Sequence, residues 1–226
     1  MQKKHLFFDL DHTLWDFDKN SGFAFETIFK KHNIALDCKL FLKHYVPINQ
    51  EYWRKYQTNQ ITHEELRFGR FNDVFELLNH PVSEEFIQQL SEDYVKHLPD
   101  SNILFDNAVE VLDYLNKKYT LHIITNGFAE VQDKKLERSK IAHYFKTVTN
   151  SQTAGEKKPH PIIFDSALKL ANATKEESVM IGDSPEADIK GALDFGIDAV
   201  YFNPEKAENN YKVKEISALN QLLDIF

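Results

Sequence analysis

The stretch that decides the fold is Leu6-Phe7-Phe8-Asp9-Leu10-Asp11-His12-Thr13. Three apolar residues followed by an acid read as a short buried strand that ends in charge. Two carboxylates two positions apart pack poorly at a strand end, because they repel one another and Asp is a weak strand former. A hard cation such as Mg²⁺ resolves the conflict, since it takes oxygen ligands. The pair suits a nucleophilic carboxylate at Asp9 with Asp11 as its proton-transfer partner. A plain turn beginning at Asp9 accounts for the same residues, so the choice rests on the rest of the chain.

Around this stretch lie 226 residues, enough for one large domain or two small ones, with 42% hydrophobic residues to build a core. The formal net charge of −8 argues against a nucleic-acid surface and requires any anionic substrate to be attracted locally. A single cysteine, Cys38, excludes an internal disulfide and a thiolate zinc cage. The chain shows no signal peptide and no apolar run near ~18 residues, so the expectation is a soluble cytoplasmic protein that does not engage membranes.

Downstream of the opening strand, residues 14–19 read as a short hairpin or loop. From about Asn20 to His97 the spacing of apolar residues such as Phe23, Ile28 and Phe29 becomes helical, with helices expected over 20–32, 38–57, 62–79 and 83–97. Thr62 with Glu65 forms a capping-box pattern, and Pro81 and Pro99 punctuate helix ends. The aromatic residues of this block, among them Tyr45, Trp53 and Phe71, read mainly as the core of a helical bundle.

After Ser101 helices and strands alternate: helix 106–117, strand 121–125, helix 128–138, strand 145–149, helix 161–172, strand 178–182, helix 185–195, strand 198–202 and a closing helix 214–225. Such alternation predicts an α/β fold, a Rossmann-like parallel sheet with helices on both faces. The helical block is then an insertion. The expected division is residues 1–15 with 100–226 as a discontinuous sheet domain, and 16–99 as an inserted helical domain.

In an open α/β sheet, ligands bind outside the carboxyl ends of the strands. Three strands here end in chemistry: Asp9, then Thr125-Asn126-Gly127, then Gly182-Asp183-Ser184. Thr125 and the backbone near Asn126 suit phosphate oxygens, although a helix N-cap explains them equally well. Lys158, held between Lys157 and Pro159 just before a helix start, is a cation where the helix dipole disfavours one, and is a candidate partner for phosphate and for Asp9. Ser184, Pro185 and Glu186 suit a helix start, which explains Asp188 only in part and Asp183 not at all. Asp183 is therefore a candidate metal ligand.

The set Asp9-x-Asp11-x-Thr13, Thr125-Asn126, Lys158-Pro159 and Gly182-Asp183-x4-Asp188 resembles the four motifs of the haloacid dehalogenase-like superfamily, and the helical insertion resembles its type-one cap. True dehalogenases lack the second acid of the first motif, so Asp11 resembles the phosphatase branch. Further stretches, Ile123-Ile124-Thr125-Asn126-Gly127-Phe128, Leu136-Glu137-Arg138, and Ile61-Thr62 with Gly69-Arg70-Phe71, are similar to the bacterial pyrimidine 5′-nucleotidases. His12 departs from that subfamily, where an acidic residue is frequent.

The resemblance implies two-step phosphoryl transfer with Mg²⁺. Asp9 is the nucleophile and Asp11 the general acid and base. The metal is held by Asp9, Asp183 and the backbone carbonyl of Asp11, with Asp188 supporting its waters or Lys158. Thr125, the backbone near Asn126, and Lys158 hold the phosphate. The implied partner is a small phosphorylated metabolite, with a nucleoside 5′-monophosphate expected. Trp53, Arg70, Phe71 and Phe17 are candidates for contacting the leaving group. A sugar-phosphate phosphatase or phosphomutase on the same scaffold, and a non-catalytic phosphate-binding module, remain open alternatives.

Overall fold

The computed structural model describes residues 2–226. Among them a six-stranded sheet is formed by β1 (His5–Phe8), β2 (Thr120–Thr125), β3 (Phe145–Asn150), β4 (Ser178–Gly182), β5 (Asp198–Phe202) and β6 (Lys214–Ile216). Its strand order is β3-β2-β1-β4-β5-β6 and every pairing is parallel. The chain runs outward from β1 through β2 to β3, then crosses back to β4 on the other side of β1. The order reverses between β1 and β4, the place where open α/β sheets bind ligands. Phe8 sits in register with both Ile123 and Ile181, so the next residue, Asp9, emerges at the centre of the sheet's carboxyl edge.

Two compact units make up the chain: the segment up to Phe17 together with Asn102–Phe226, and the segment Asp18–Ser101. The second is wholly helical, with α1 (Phe17–Lys31), α2 (Cys38–Gln57), α3 (His63–Leu77) and α4 (Glu84–His97). Thr62 and Glu65 complete the capping box at α3, and the Ser83 hydroxyl caps α4. Phe25, Phe41, Tyr45, Phe71 and Tyr94 are buried together, with the rings of Phe25 and Tyr45 4.5 Å apart. Phe71 is thus a core residue. Arg70 lies among Tyr45, Phe71 and Tyr94 and donates to Asn49 at 2.8 Å.

In the sheet unit, α5 (Ala108–Leu115), α6 (Ala129–Arg138), α7 (Ser151–Ala154), α8 (Pro161–Ala171) and α9 (Gly191–Phe195) surround the strands. Strand residues alternate between faces. Phe7, Ile124, Met180, Ala199 and Tyr201 pack with Ile163, Phe164, Ala167 and Ile189 on one of them. Burial on both faces is why β1, β2 and β4 read as continuous apolar runs.

Three local readings are corrected. The expected helix 214–225 is instead β6 followed by a 3₁₀ turn at Leu219–Asp224, because Lys214–Ile216 extends the sheet beside β5. The expected helix 185–195 starts as a π-helical segment, Pro185–Lys190, before α9. The 14–19 loop is shorter than expected: His12 takes a left-handed turn (φ 62°), Trp15 bridges to Leu104, and α1 already begins at Phe17. No helix among the described residues is long and apolar enough to cross a membrane.

Candidate active site

The backbone N–H of Asp9 still donates to the carbonyl of Ile181, which anchors this residue to the sheet edge as the last rung of β1. Lys158 arrives from the loop before α8 and is almost fully buried. Its Nζ donates to Asp9 Oδ1 at 2.5 Å and to the carbonyl of Ile124 at 2.7 Å, and forms an ion pair with Asp188 Oδ1 at 2.7 Å. The ammonium is thus engaged by two carboxylates and a backbone carbonyl.

Asn126 holds Lys158 in place. Its side-chain amide donates to the Lys158 carbonyl at 2.9 Å, and its side-chain carbonyl accepts from the Lys158 N–H at 2.8 Å. The side chain of Asn126 therefore serves the lysine rather than facing outward. On the β4 side, Asp183 Oδ1 accepts from the Thr13 hydroxyl at 2.9 Å, and Asp188 Oδ2 accepts from the Ser184 N–H at 3.0 Å. Asp188 comes this close only because residue 182 is glycine: a Cβ there would lie 2.2 Å from Asp188 Oδ2.

The helix-cap explanation of Thr125 does not hold. The N-cap of α6 is Phe128, without a side-chain cap bond. Thr125 Oγ1 instead accepts from the Gly127 N–H at 3.1 Å and from Gln132 Nε2 at 2.7 Å. With both lone pairs engaged, the hydroxyl's own hydrogen is left for an outside acceptor such as a phosphate oxygen.

Two neighbours of Asp11 were not expected from sequence. Lys135 Nζ donates to Asp11 Oδ1 at 2.5 Å and Gln132 Nε2 donates to Asp11 Oδ2 at 2.9 Å. Both sit on α6 and are buried beside Val131 and Leu136. A signal existed: positions 131, 132, 135 and 136 form the inward stripe of this helix, and two of the four are polar.

Electrostatics at the sheet edge are unbalanced. The carboxylate oxygens of Asp9, Asp183 and Asp188 lie within 4.8 Å of one another, and Lys158 pairs with two of them. With all three carboxylates ionised, one ammonium would leave two negative charges uncompensated. Burial drives the Asp9 pKa well above its usual range, with Lys158 opposing and Asp188 and Asp183 adding to the rise. Burial, then Asp188, pushes Asp183 up to about 8. Burial also opposes the charge on Lys158, but Asp188 and Asp9 outweigh it and its pKa rises. A cluster of hard oxygen donors whose charge is this poorly tolerated fits a divalent cation such as Mg²⁺.

The sequence profile of the haloacid dehalogenase-like hydrolases matches residues 6–202. The chain is 32% identical to the pyrimidine 5′-nucleotidase PynA of Streptococcus pneumoniae, over 98% of this chain and 94% of that protein. It is 31% identical to the pyrimidine 5′-nucleotidase YjjG of Escherichia coli, over 96% of each. Among solved structures, the putative HAD-hydrolase YfnB of Bacillus subtilis bound to magnesium superposes with a TM-score of 0.89 at 28% identity, covering 100% of this chain and 99% of the other. With Asp9, Lys158, Asp183 and Asp188 gathered at the switch point of such a sheet, the chain belongs to the haloacid dehalogenase-like hydrolase family.

Proposed function

We propose that this enzyme is a Mg²⁺-dependent phosphatase that hydrolyses nucleoside 5′-monophosphates, pyrimidine nucleotides foremost. The observation that carries the chemistry is the placement of Asp11 two residues beyond Asp9, with its carboxylate held by α6 rather than by the acidic cluster. One carboxylate is thereby reserved for attack and the other for proton transfer. The nucleotide preference rests on the near full-length similarity to PynA and YjjG.

In the first step an Asp9 carboxylate oxygen bonds to phosphorus and the ester P–O bond breaks. The leaving oxygen takes its proton from Asp11. In the second step a water gives a proton to Asp11 and its oxygen bonds to phosphorus. The Asp9–phosphate bond breaks, and inorganic phosphate leaves. Thr125 offers its hydroxyl hydrogen to a phosphoryl oxygen, and Lys158 counters the charge of Asp9. Asp9, Asp183 and the backbone carbonyl of Asp11 would hold Mg²⁺, which would supply charge neutralisation for phosphoryl transfer. Asp188 keeps Lys158 in place.

The test is phosphate release from a panel of nucleoside monophosphates and sugar phosphates, with Mg²⁺ and with chelator. Metal-dependent release that favours pyrimidine nucleotides is the expected result. A preference for sugar phosphates would retain the chemistry and overturn the substrate. Unimpaired turnover by Asp9→Asn would overturn the mechanism.

A further inference from the structure

Lys135 is about 1% exposed, yet it is a lysine. Its Nζ stands 4.2 Å from the centre of the Trp15 ring and 5.3 Å from that of Phe17, and its anionic contact is Asp11 Oδ1. Burying such an ion pair is seldom worth its desolvation cost in stability alone. One turn earlier on the same helix, Gln132 Nε2 reaches the other oxygen, Asp11 Oδ2, and also Thr125 Oγ1. The Gln132 side-chain carbonyl is buried without a hydrogen bond, a cost accepted for where its amide group points. Residue 127 is cleared for it as well: a Cβ on Gly127 would lie 2.4 Å from the Gln132 amide.

We infer that Lys135, with Gln132 beside it, is a positioning residue for Asp11. The two donors from one face of α6 fix both carboxylate oxygens, and with them the direction in which Asp11 delivers and accepts a proton. Gln132 ties that direction to Thr125, so the proton donor and a phosphate ligand are set by one helix. This inference rests on the reading of Asp11 as general acid and base. Proton delivery matters most when the leaving oxygen is basic, as in an alkyl ester or nucleotide, and least for a nitrophenolate.

The experiment compares kcat/KM for a nucleoside monophosphate and for p-nitrophenyl phosphate in wild type, Lys135→Met and Lys135→Arg. Inhibition by inorganic phosphate and the thermal midpoint are measured alongside. For Lys135→Met a loss of about 100-fold is expected on the nucleotide, within the range of general acid–base catalysis, and at least about tenfold less on the aryl ester. The phosphate inhibition constant stays within about threefold, and Lys135→Arg recovers most of the nucleotide activity. Equal losses on both esters, or no loss, would overturn the inference. Asp11→Asn on the same two esters separates the two readings. If it shows no leaving-group dependence, the role of Asp11 itself fails. If it does and Lys135→Met does not, only the role of Lys135 fails. Added to Asp11→Asn, Lys135→Met should cost less than about threefold more. Should Lys135→Met not fold, Lys135→Gln carries the same comparison.

Discussion

Lys158 Nζ lies 2.5 Å from Asp9 Oδ1, at a sheet edge where it also forms an ion pair with Asp188 Oδ1 and donates to the Ile124 carbonyl. The lysine is therefore both the counter-charge of Asp9, the proposed nucleophile, and a link between the end of β2 and the segment after β4. Its removal leaves Asp9 and Asp188 buried without their cation. Lys158→Met is expected to cost about 3–5 kcal/mol, as breaking a buried pair does, and at least ~100-fold in kcat. Urea unfolding and steady-state kinetics check the two effects. A variant as stable as wild type would show that the ion pairs do not hold this edge together.

Residues that look out of place in a local pattern were the ones legible in the sequence. Asp9 and Asp183 end apolar runs in charge, and Lys158 puts a cation before a helix start. Runs 178–182 and 198–202 were readable as strands because a parallel sheet buries both faces. Lys214–Ile216 was not, because an edge strand of three residues is set by its partner β5 and not by its own composition. Lys135 was hidden for a related reason. It stands next to Lys134, an exposed lysine paired with Glu130 one turn away, and only its place on the stripe of Val131 and Leu136 separates the two. The partners of Lys135 come from the packing of α6 against Trp15 and Asp11.

Gly182 is expected to tolerate no side chain. An added Cβ would meet Asp188 at 2.2 Å from Oδ2, and the carboxylate has to move off Lys158 or Ser184 to make room. Overpacking of this kind costs about 1–3 kcal/mol. Gly182→Ala should lower the thermal midpoint accordingly and reduce kcat with it, since Asp188 positions Lys158. Thermal melts with kinetics on the same preparation are the check. Unchanged kcat would mean that Asp188 can shift without disturbing the lysine.

Metal addition should stabilise the free enzyme. A divalent cation favours the ionised form of the Asp9, Asp183 and Asp188 cluster, which Lys158 alone does not neutralise, and a ligand bound only by the folded state adds about 2.7 kcal/mol at 100 times its Kd. The thermal midpoint is expected to rise on titration with Mg²⁺ in the absence of substrate. In Asp183→Asn the rise should shrink by at least half, while the metal-free variant should be no less stable than wild type, because burial already disfavours that charge. An equal Mg²⁺ response in both proteins would remove Asp183 from the ligand set.

Away from the site, His122 gives the fold a dependence on pH. It is fully buried on β2, where Nδ1 contacts the Thr147 hydroxyl at 2.7 Å, Nε2 contacts His5 Nδ1 at 3.1 Å, and Phe7 stacks on its ring. Burial, then the neighbouring His5, lowers its pKa to about 4. His5, which also faces Glu177 and Lys4, is lowered too, chiefly by burial. The unfolded chain takes up a proton near pH ~6.5, before the folded one does, so this contribution is whole above that value. It is lost as the pH falls through the window down to about 4. Between pH 7 and 4.5 the loss from His122 amounts to about 2 kcal/mol. His122→Asn should be less stable than wild type at pH 7 and fall less steeply with acid, as read from urea midpoints along the series. Parallel slopes for the two proteins would place the acid sensitivity elsewhere.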